Sequence, residues 1–153
     1  MPLFRHLLWT ALGVVALTTL PAQGADLAAA RAQARASVPG FLSTWKAQSA
    51  GVGGYRVLAQ VRAGGQVENI WLDDFKAAGA AFTAILQSTP RVLSGLSAGQ
   101  SVTFTEVDIV DWSYEDQKAG KLRGNHLQCA ELRDLPPAEY AEQIDYLGLS
   151  CGD

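Results

Sequence analysis

The chain has 153 residues and a formal net charge of −3, with 12 Lys and Arg against 15 Asp and Glu. This length suits one domain with a single core. The acidic balance argues against a nucleic-acid partner, because proteins of that class carry a basic patch. The charge is uneven, since residues 106–153 hold 4 basic and 11 acidic side chains and residues 25–105 hold 7 and 4. This asymmetry is typical of an oriented binding surface or of a solvated acidic C-terminal segment.

The first 24 residues have the three parts of a secretory signal peptide. Arg5 and His6 supply the positive end, and an uncharged apolar run of 14 residues follows from Leu7 to Leu20. Small residues up to Gly24 predict cleavage after that position, which leaves residues 25–153 as one domain. A membrane anchor is the alternative, but the run is shorter than the roughly 20 residues that span a bilayer. We therefore expect a periplasmic or secreted protein with no transmembrane helix after cleavage.

The N-terminal half of this domain is predicted to form helix and then a β-hairpin. Apolar side chains recur near every third or fourth position from Ala25 to Ala50, which indicates helix. Pro39-Gly40 interrupts the pattern and predicts either two helices or one kinked helix, with Ser37 as the cap of the second. The alternating segments Tyr55–Arg62 and Val67–Leu72 predict two antiparallel strands.

The next segments are short and predominantly extended. Asp73 to Gly79 is predicted to be a polar connection, and the alternation in Ala81 to Gln87 favours a strand. Ser101 to Glu106 alternates clearly and predicts another strand, and the chain is expected to stay extended through Val107 to Trp112.

The C-terminal part is predicted to contain a loop, a strand and a helix. The loop is the Gly- and Lys-rich segment Lys118 to Asn125, and the strand is His126 to Leu132. Pro136-Pro137 then introduces a helix through about Leu147. The predicted class is α+β, a mostly antiparallel, strongly bent sheet of about five strands flanked by N-terminal and C-terminal helices.

Two cysteines, Cys129 and Cys151, lie 22 positions apart. An even number of cysteines in an exported protein predicts a disulfide bond. A loop of this size stabilises the fold by roughly 3 kcal/mol in the chain-entropy model. The alternative is a free nucleophile paired with His126. On a strand, however, a spacing of three residues places these side chains on opposite faces.

Three groups of motifs follow one another in the middle of the chain. They are Val67-Glu68-Asn69-Ile70-Trp71, then Phe82 to Pro90, then Gly99-Gln100-Ser101-Val102 with Ile109-Val110-Asp111-Trp112-Ser113-Tyr114. In this order they resemble the bacterial family called domain of unknown function 2314, over about Ala34 to Ala130. That family shows a Glu-His-hydrophobic-Trp run, a Phe-x-Gly-x-Leu segment ending in Pro, and a Gly-Asp-x-Val and Ile-x-Asp-Trp pair. The resemblance implies a shared fold and assigns no activity.

The chain departs from the family pattern at three places. Asn69 stands where His is common, and Ala84 stands where Gly is common. After Gly124 the family tends to continue with Thr-x-Arg, whereas this chain reads Asn125-His126-Leu127-Gln128. Any family function carried by this last region is expected to be altered here.

The residues Asp111, Trp112 and Tyr114 form the first candidate site, a small recognition surface. Trp112 would offer an aromatic face for stacking, and Asp111 would accept hydrogen bonds from a ligand. The structural alternative is that Trp112 packs in the core and Asp111 caps the backbone of a turn.

Glu68, Asp111 and His126 are weak catalytic candidates. Two carboxylates can perform acid–base chemistry if they converge, and His126 is the one histidine of residues 25–153. An enzyme would require all three side chains in one pocket. Otherwise Glu68 is expected to pair with Arg56 or Arg62 across the hairpin.

The chain has no metal-ligand spacing and no phosphate-binding loop, so neither metal nor cofactor is expected.

These observations leave three functional hypotheses. The favoured one is a non-catalytic binding or interaction module in the periplasm, with an envelope protein or a cell-wall polymer as partner. The second is a small hydrolase that uses the carboxylates and His126. The third is a cell-wall glycan binder that grips sugar chains with Trp45 and Trp112.

Overall fold

The computed structural model describes residues 23–152, which form three helices and seven strands. The helices are α1 (Gln23–Ala47), α2 (His126–Leu132) and α3 (Pro137–Tyr146). The strands are β1 (Val52–Ala63), β2 (Gln66–Asp73), β3 (Lys76–Ala78), β4 (Ala81–Ile85), β5 (Ser101–Phe104), β6 (Ile109–Asp116) and β7 (Lys121–Gly124). The α+β class is confirmed. The predicted signal peptide lies outside the described residues except for its last two positions.

The strands pair antiparallel in two sheets, with the order β2-β1-β6-β7 in one and β3-β4-β5 in the other. The predicted hairpin is confirmed: β1 and β2 pair from Arg56 with Asp73 to Ala63 with Gln66, around a Gly64-Gly65 turn. The structure has more strands than expected because β5 and β6 are separate strands and because two segments that were predicted as loops also contain strands. Phe75, which is buried, anchors β3 within the predicted polar connection. The segment predicted as a Gly- and Lys-rich loop contains β7, which pairs with β6.

Helix α1 is continuous, so the prediction of two helices is wrong. Pro39 lies inside it on the exposed side, where water can bind the carbonyl group that loses its N–H partner. Ser37 does not cap a second helix. Its hydroxyl instead donates back to the carbonyl groups of Gln33 and Ala34, at 3.0 and 2.9 Å.

The hydrophobic core lies between α1 and the inner faces of the two sheets. Phe41 of α1 is almost fully buried, and its ring stacks on Trp112 of β6 at 5.0 Å. Phe82 and Phe104 stack across β4 and β5 at 5.4 Å. Each fully buried side chain of this size contributes roughly 1.5–3 kcal/mol. The contact between Phe41 and Trp112 holds α1 against β6, and both of those elements reach the site described below.

The segment after β7 is helix, so the prediction of a strand from His126 to Leu132 is wrong. Asn125 turns the chain with a left-handed backbone, φ 53°, and its own side chain makes no capping bond. The buried carboxylate of Asp111 accepts the backbone N–H of Leu127 at 2.9 Å and takes over the capping role. Because α2 is a helix, His126 and Cys129 lie on the same side of it.

The predicted disulfide between Cys129 and Cys151 is present, with 5.6 Å between the Cα atoms. It ties the C-terminal segment to helix α2 rather than to a strand. The same segment is held by a parallel bridge between Leu149 and Leu122 and by the hydrogen bond from Ser150 N to the Leu122 carbonyl, at 2.9 Å. The predicted C-terminal helix is confirmed as α3. Among the described residues, no helix is both long and apolar enough to span a membrane.

Gly124 is the tightest point of this arrangement. A Cβ atom there would lie 2.1 Å from the carbonyl oxygen of Trp112 and 2.6 Å from its ring, at φ 84°. We predict that Gly124→Ala lowers the free energy of unfolding by more than about 3 kcal/mol, because left-handed strain adds to a clash with backbone. Urea unfolding of residues 25–153 measures this change.

Gly99→Ala is the matched control, because Gly99 has the same φ of 84° and open space around the missing Cβ. Gly99→Ala is expected to lower the free energy of unfolding by about 1–2 kcal/mol, which is the cost of the left-handed backbone strain alone. Equal losses in the two variants would show that β7 can move away from Trp112.

Candidate functional site

A cleft of about 460 Å³ opens between α1 and α2, and we call it the α1–α2 cleft. Strands β6 and β7 form its floor, and the C-terminal segment closes one end. The α1 wall contributes every third or fourth residue of one helix face, as expected for a helical surface. The lining residues are Asp26, Ala29, Ala30, Gln33, Ser37, Trp112, Tyr114, Asp116, Arg123, Gly124, His126, Cys129, Arg133, Ser150, Cys151 and Gly152.

Asp111 and His126 meet at the wall of this cleft. The carboxylate of Asp111 is fully buried, and its Oδ1 lies 2.9 Å from Nδ1 of His126. The same carboxylate accepts the backbone N–H groups of Trp112 and Leu127, each at 2.9 Å. The His126 side chain is 12% exposed and lies edge-on to the Trp112 ring. A buried charge is stable only when it is hydrogen-bonded, and these three bonds meet that requirement.

Trp112 is a core residue whose edge reaches the cleft. Its indole N–H donates to Ser37 Oγ at 3.0 Å and approaches the Ala34 carbonyl oxygen at 3.3 Å. Its ring also stacks on Phe41, so one aromatic face is covered. Of the predicted recognition surface, therefore, Asp111 lies behind the cleft wall, Trp112 offers an edge, and the half-buried Tyr114 lines the cleft.

One ion pair braces the floor of the cleft. The Arg123 guanidinium contacts Asp116 Oδ2 through Nε and Nη2, at 3.3 and 3.2 Å, and donates to Ser150 Oγ at 3.0 Å. The backbone N–H of Ala119 and the Arg123 charge together hold the pKa of Asp116 below its ordinary value. Two other charged side chains lining the cleft, Asp26 and Arg133, make no hydrogen bond or ion pair with the described residues.

Glu68 lies in β2 and does not join Asp111 and His126. Its carboxylate accepts the backbone N–H groups of Arg91, Val92 and Leu93, at 3.0, 2.8 and 3.3 Å. The expected pairing with Arg56 or Arg62 is not formed, because those arginines bond to Asp73 and Asp108. Glu68 therefore fastens the loop that follows β4, and two of the three weak catalytic candidates converge.

The two tryptophans of the glycan hypothesis do not share a cleft. Trp45 stacks on Phe75 at 4.8 Å and lines a different pocket from the one that contains Trp112. Within residues 23–152, no three His, Cys, Asp or Glu side chains are grouped so as to hold a metal ion.

Sequence reasoning missed the arginines and the α1 wall of the cleft. His126, Cys129 and Arg133 all line it, and their spacing of three and four residues defines one face only if the segment is helical. A prediction of helix for His126 to Leu132 would have shown that these three side chains share one face. No local signal brings it opposite α1, because the two helices meet through tertiary packing.

The fold and the cleft define a small α+β domain with a disulfide at the wall of a polar cleft. The family model described as "Uncharacterized protein conserved in bacteria (DUF2314)" matches residues 25–149, so the chain belongs to this bacterial family. The match extends beyond the predicted resemblance at both ends. Searches of curated proteins and of solved structures found no match.

The Glu68 carboxylate generates a pH-dependent prediction. The backbone N–H groups of Arg91 and Val92 lower the pKa of Glu68 from its ordinary value. Its contribution to stability is therefore present above the unfolded-state pKa, near about 4.3, and is lost as pH falls through the folded-state pKa. We predict that Glu68→Gln is less stable than wild type at neutral pH and that this difference narrows as the pH falls below about 4. Urea unfolding at several pH values measures it.

Glu142→Gln is the control, since Glu142 is exposed on α3 and has no described hydrogen-bond partner. The same pH dependence in both variants would contradict a specific role for the loop contacts of Glu68.

Proposed function

We propose that this chain is an exported, non-catalytic binding module of the bacterial envelope and that the α1–α2 cleft is its ligand site. The observation that carries the proposal is that Trp112, Tyr114 and His126 line one cleft beside two charged side chains, Asp26 and Arg133, that lack partners among the described residues. Concave sites with a few converging polar groups are the usual form of small-ligand sites.

The rigidity of the cleft supports a binding role. Its wall carries the disulfide between Cys129 and Cys151, and its floor carries the ion pair between Arg123 and Asp116. His126 is fixed by Asp111. A site that is already ordered loses little entropy when a ligand binds, so few contacts suffice for useful affinity.

The ligand is expected to fit a volume of about 460 Å³. That volume suits a small molecule or the exposed end of a cell-wall polymer or an envelope protein. A nucleic acid is disfavoured by the acidic balance of the chain.

Export is the second part of the proposal. The signal-peptide pattern of residues 1–24, the paired cysteines and a family match that begins at residue 25 all support it.

We predict that protein recovered from the periplasm or the medium begins at Ala25, within one residue. N-terminal sequencing measures this, and an exported chain that begins at Met1 would contradict signal cleavage.

The cleft is tested with thermal unfolding of residues 25–153 in the presence of small-molecule fractions from a bacterial envelope extract. We predict that at least one fraction raises Tm and that Arg133→Ala weakens this effect. A ligand at a hundred times its Kd stabilises by about 2.7 kcal/mol. A tenfold loss of affinity reduces that by about 1.4 kcal/mol.

Arg35→Ala is the matched control, because Arg35 is an exposed arginine of α1 that does not line the cleft. It is expected to keep the full response. An equal loss in both variants, or no response to any fraction, would contradict a ligand site in the cleft.

The contact between Asp111 and His126 favours a second candidate, a small hydrolase. In many hydrolases a histidine that is oriented by a carboxylate acts as the general base. Glu68, however, does not lie beside Asp111 and His126, so the third side chain that the hydrolase hypothesis requires does not join them. Recovery of the bound molecule from the same screen separates the candidates, because a hydrolase returns it cleaved and a binding module returns it unchanged.

A further inference from the structure

The two nitrogens of His126 have different surroundings. Nδ1 lies 2.9 Å from Oδ1 of Asp111. An ionised carboxylate can only accept a hydrogen bond, so in the neutral imidazole the proton must be on Nδ1. The lone pair is then on Nε2. Two backbone N–H groups also stabilise the Asp111 carboxylate, so its charge does not depend on His126 alone.

Nε2 of His126 makes no hydrogen bond with a described residue. Within residues 23–152, the one buried side-chain nitrogen or oxygen without a partner is Nδ2 of Asn125. Nε2 is therefore not sealed inside the protein. Because His126 lines the α1–α2 cleft, that cleft is where Nε2 presents its lone pair.

Arg133 supplies the opposite kind of group to the same cleft. It follows α2 seven positions after His126, so the two residues lie about 10 Å apart along the helix axis. Both residues line the α1–α2 cleft. The other lining arginine, Arg123, is already paired with Asp116. Arg133 is thus the unpaired cation among the described residues of this cleft.

Asp26, on the α1 wall, is the other charged lining residue that has no partner among the described residues. It disfavours an anion on its own side and accepts hydrogen bonds from a ligand, as Nε2 does. The cleft therefore offers acceptors at Asp26 and His126 and a cation at Arg133.

We propose that the α1–α2 cleft binds an organic carboxylate that also carries a hydroxyl group, with the hydroxyl donating to Nε2 of His126 and the carboxylate paired with Arg133. This inference rests on the proposed binding function and names the class of ligand for the same site.

The first experiment measures the tautomer in the free protein. Residues 25–153 contain one histidine, so ¹⁵N-histidine labelling gives a single pair of ring nitrogen signals. In the neutral ring, Nδ1 is expected to be protonated and Nε2 to be the bare nitrogen. The opposite tautomer would overturn the inference and leave the proposed binding function intact.

The second experiment compares three ligands of nearly equal size by titration followed with NMR. 4-Hydroxybenzoate has both groups, benzoate lacks the hydroxyl, and 4-hydroxybenzamide replaces the carboxylate with a neutral amide. Benzoate is expected to bind about threefold to tenfold more weakly than 4-hydroxybenzoate, as for one lost hydrogen bond. The amide is expected to bind at least about tenfold more weakly, because a bond to a charged group is stronger.

Two variants assign these differences to residues. His126→Asn keeps an N–H donor for Asp111 and removes Nε2, so it should bind 4-hydroxybenzoate and benzoate equally. Arg133→Gln should bind 4-hydroxybenzoate no better than the amide. Arg35→Gln, away from the cleft, should match wild type, and an unchanged Tm shows that each variant is folded.

Wild type that binds 4-hydroxybenzoate and benzoate equally, or either variant that keeps the wild-type preference, would overturn the inference. Failure of all three ligands to bind at millimolar concentration would also overturn it. If an envelope fraction still stabilised the protein in an Arg133-dependent way, the proposed function would stand and only the ligand class would be wrong. If no fraction did so, both would fail.

Discussion

The buried carboxylate of Asp111 is the interaction on which the geometry of the cleft depends. One oxygen holds the first turn of α2 through the Leu127 N–H, and the other holds His126 and the Trp112 backbone. Burying such a charge costs several kcal/mol unless hydrogen bonds compensate it. Here the compensation also supplies the helix cap that Asn125 does not provide. One group therefore fixes β6, the start of α2 and the imidazole of the cleft in a single arrangement.

Tertiary contacts explain residues of the motifs that carried the family resemblance. Glu68 of the first motif holds the backbone just after Pro90, which ends the second. The Trp112 backbone carbonyl accepts the N–H of Asn125, next to Gly124, and leaves no room for a Cβ at Gly124. Polar residues in such motifs can thus be explained by tertiary hydrogen bonds without catalysis. The departure after Gly124 falls on the residues that begin α2, so the segment that brings His126 to the cleft is where the chain differs from the family pattern.

Sequence patterns predicted those elements whose stability is mainly local. Apolar periodicity located α1, alternation around Gly64-Gly65 located the hairpin, and the proline pair located α3. The pattern failed at His126 to Leu132, because the cap of α2 comes from Asp111, 16 positions before Leu127. Trp112, Tyr114 and His126 could be selected by residue type alone. Arg133 and the α1 wall could not, since they acquire a role only when two helices face each other.

Glu68 and Asp111 are both carboxylates held by backbone N–H groups, yet their hydrogen-bond networks lead to different parts of the molecule. The Glu68 carboxylate accepts backbone N–H groups of the loop that follows β4, so its hydrogen bonds hold that loop in place. Asp111 bonds through His126 to a second nitrogen that has no partner among the described residues and lies at the wall of a cleft. The network of Glu68 thus ends inside the protein, whereas that of Asp111 reaches the cleft through His126. This difference is why the proposed ligand is placed at His126 and not at Glu68.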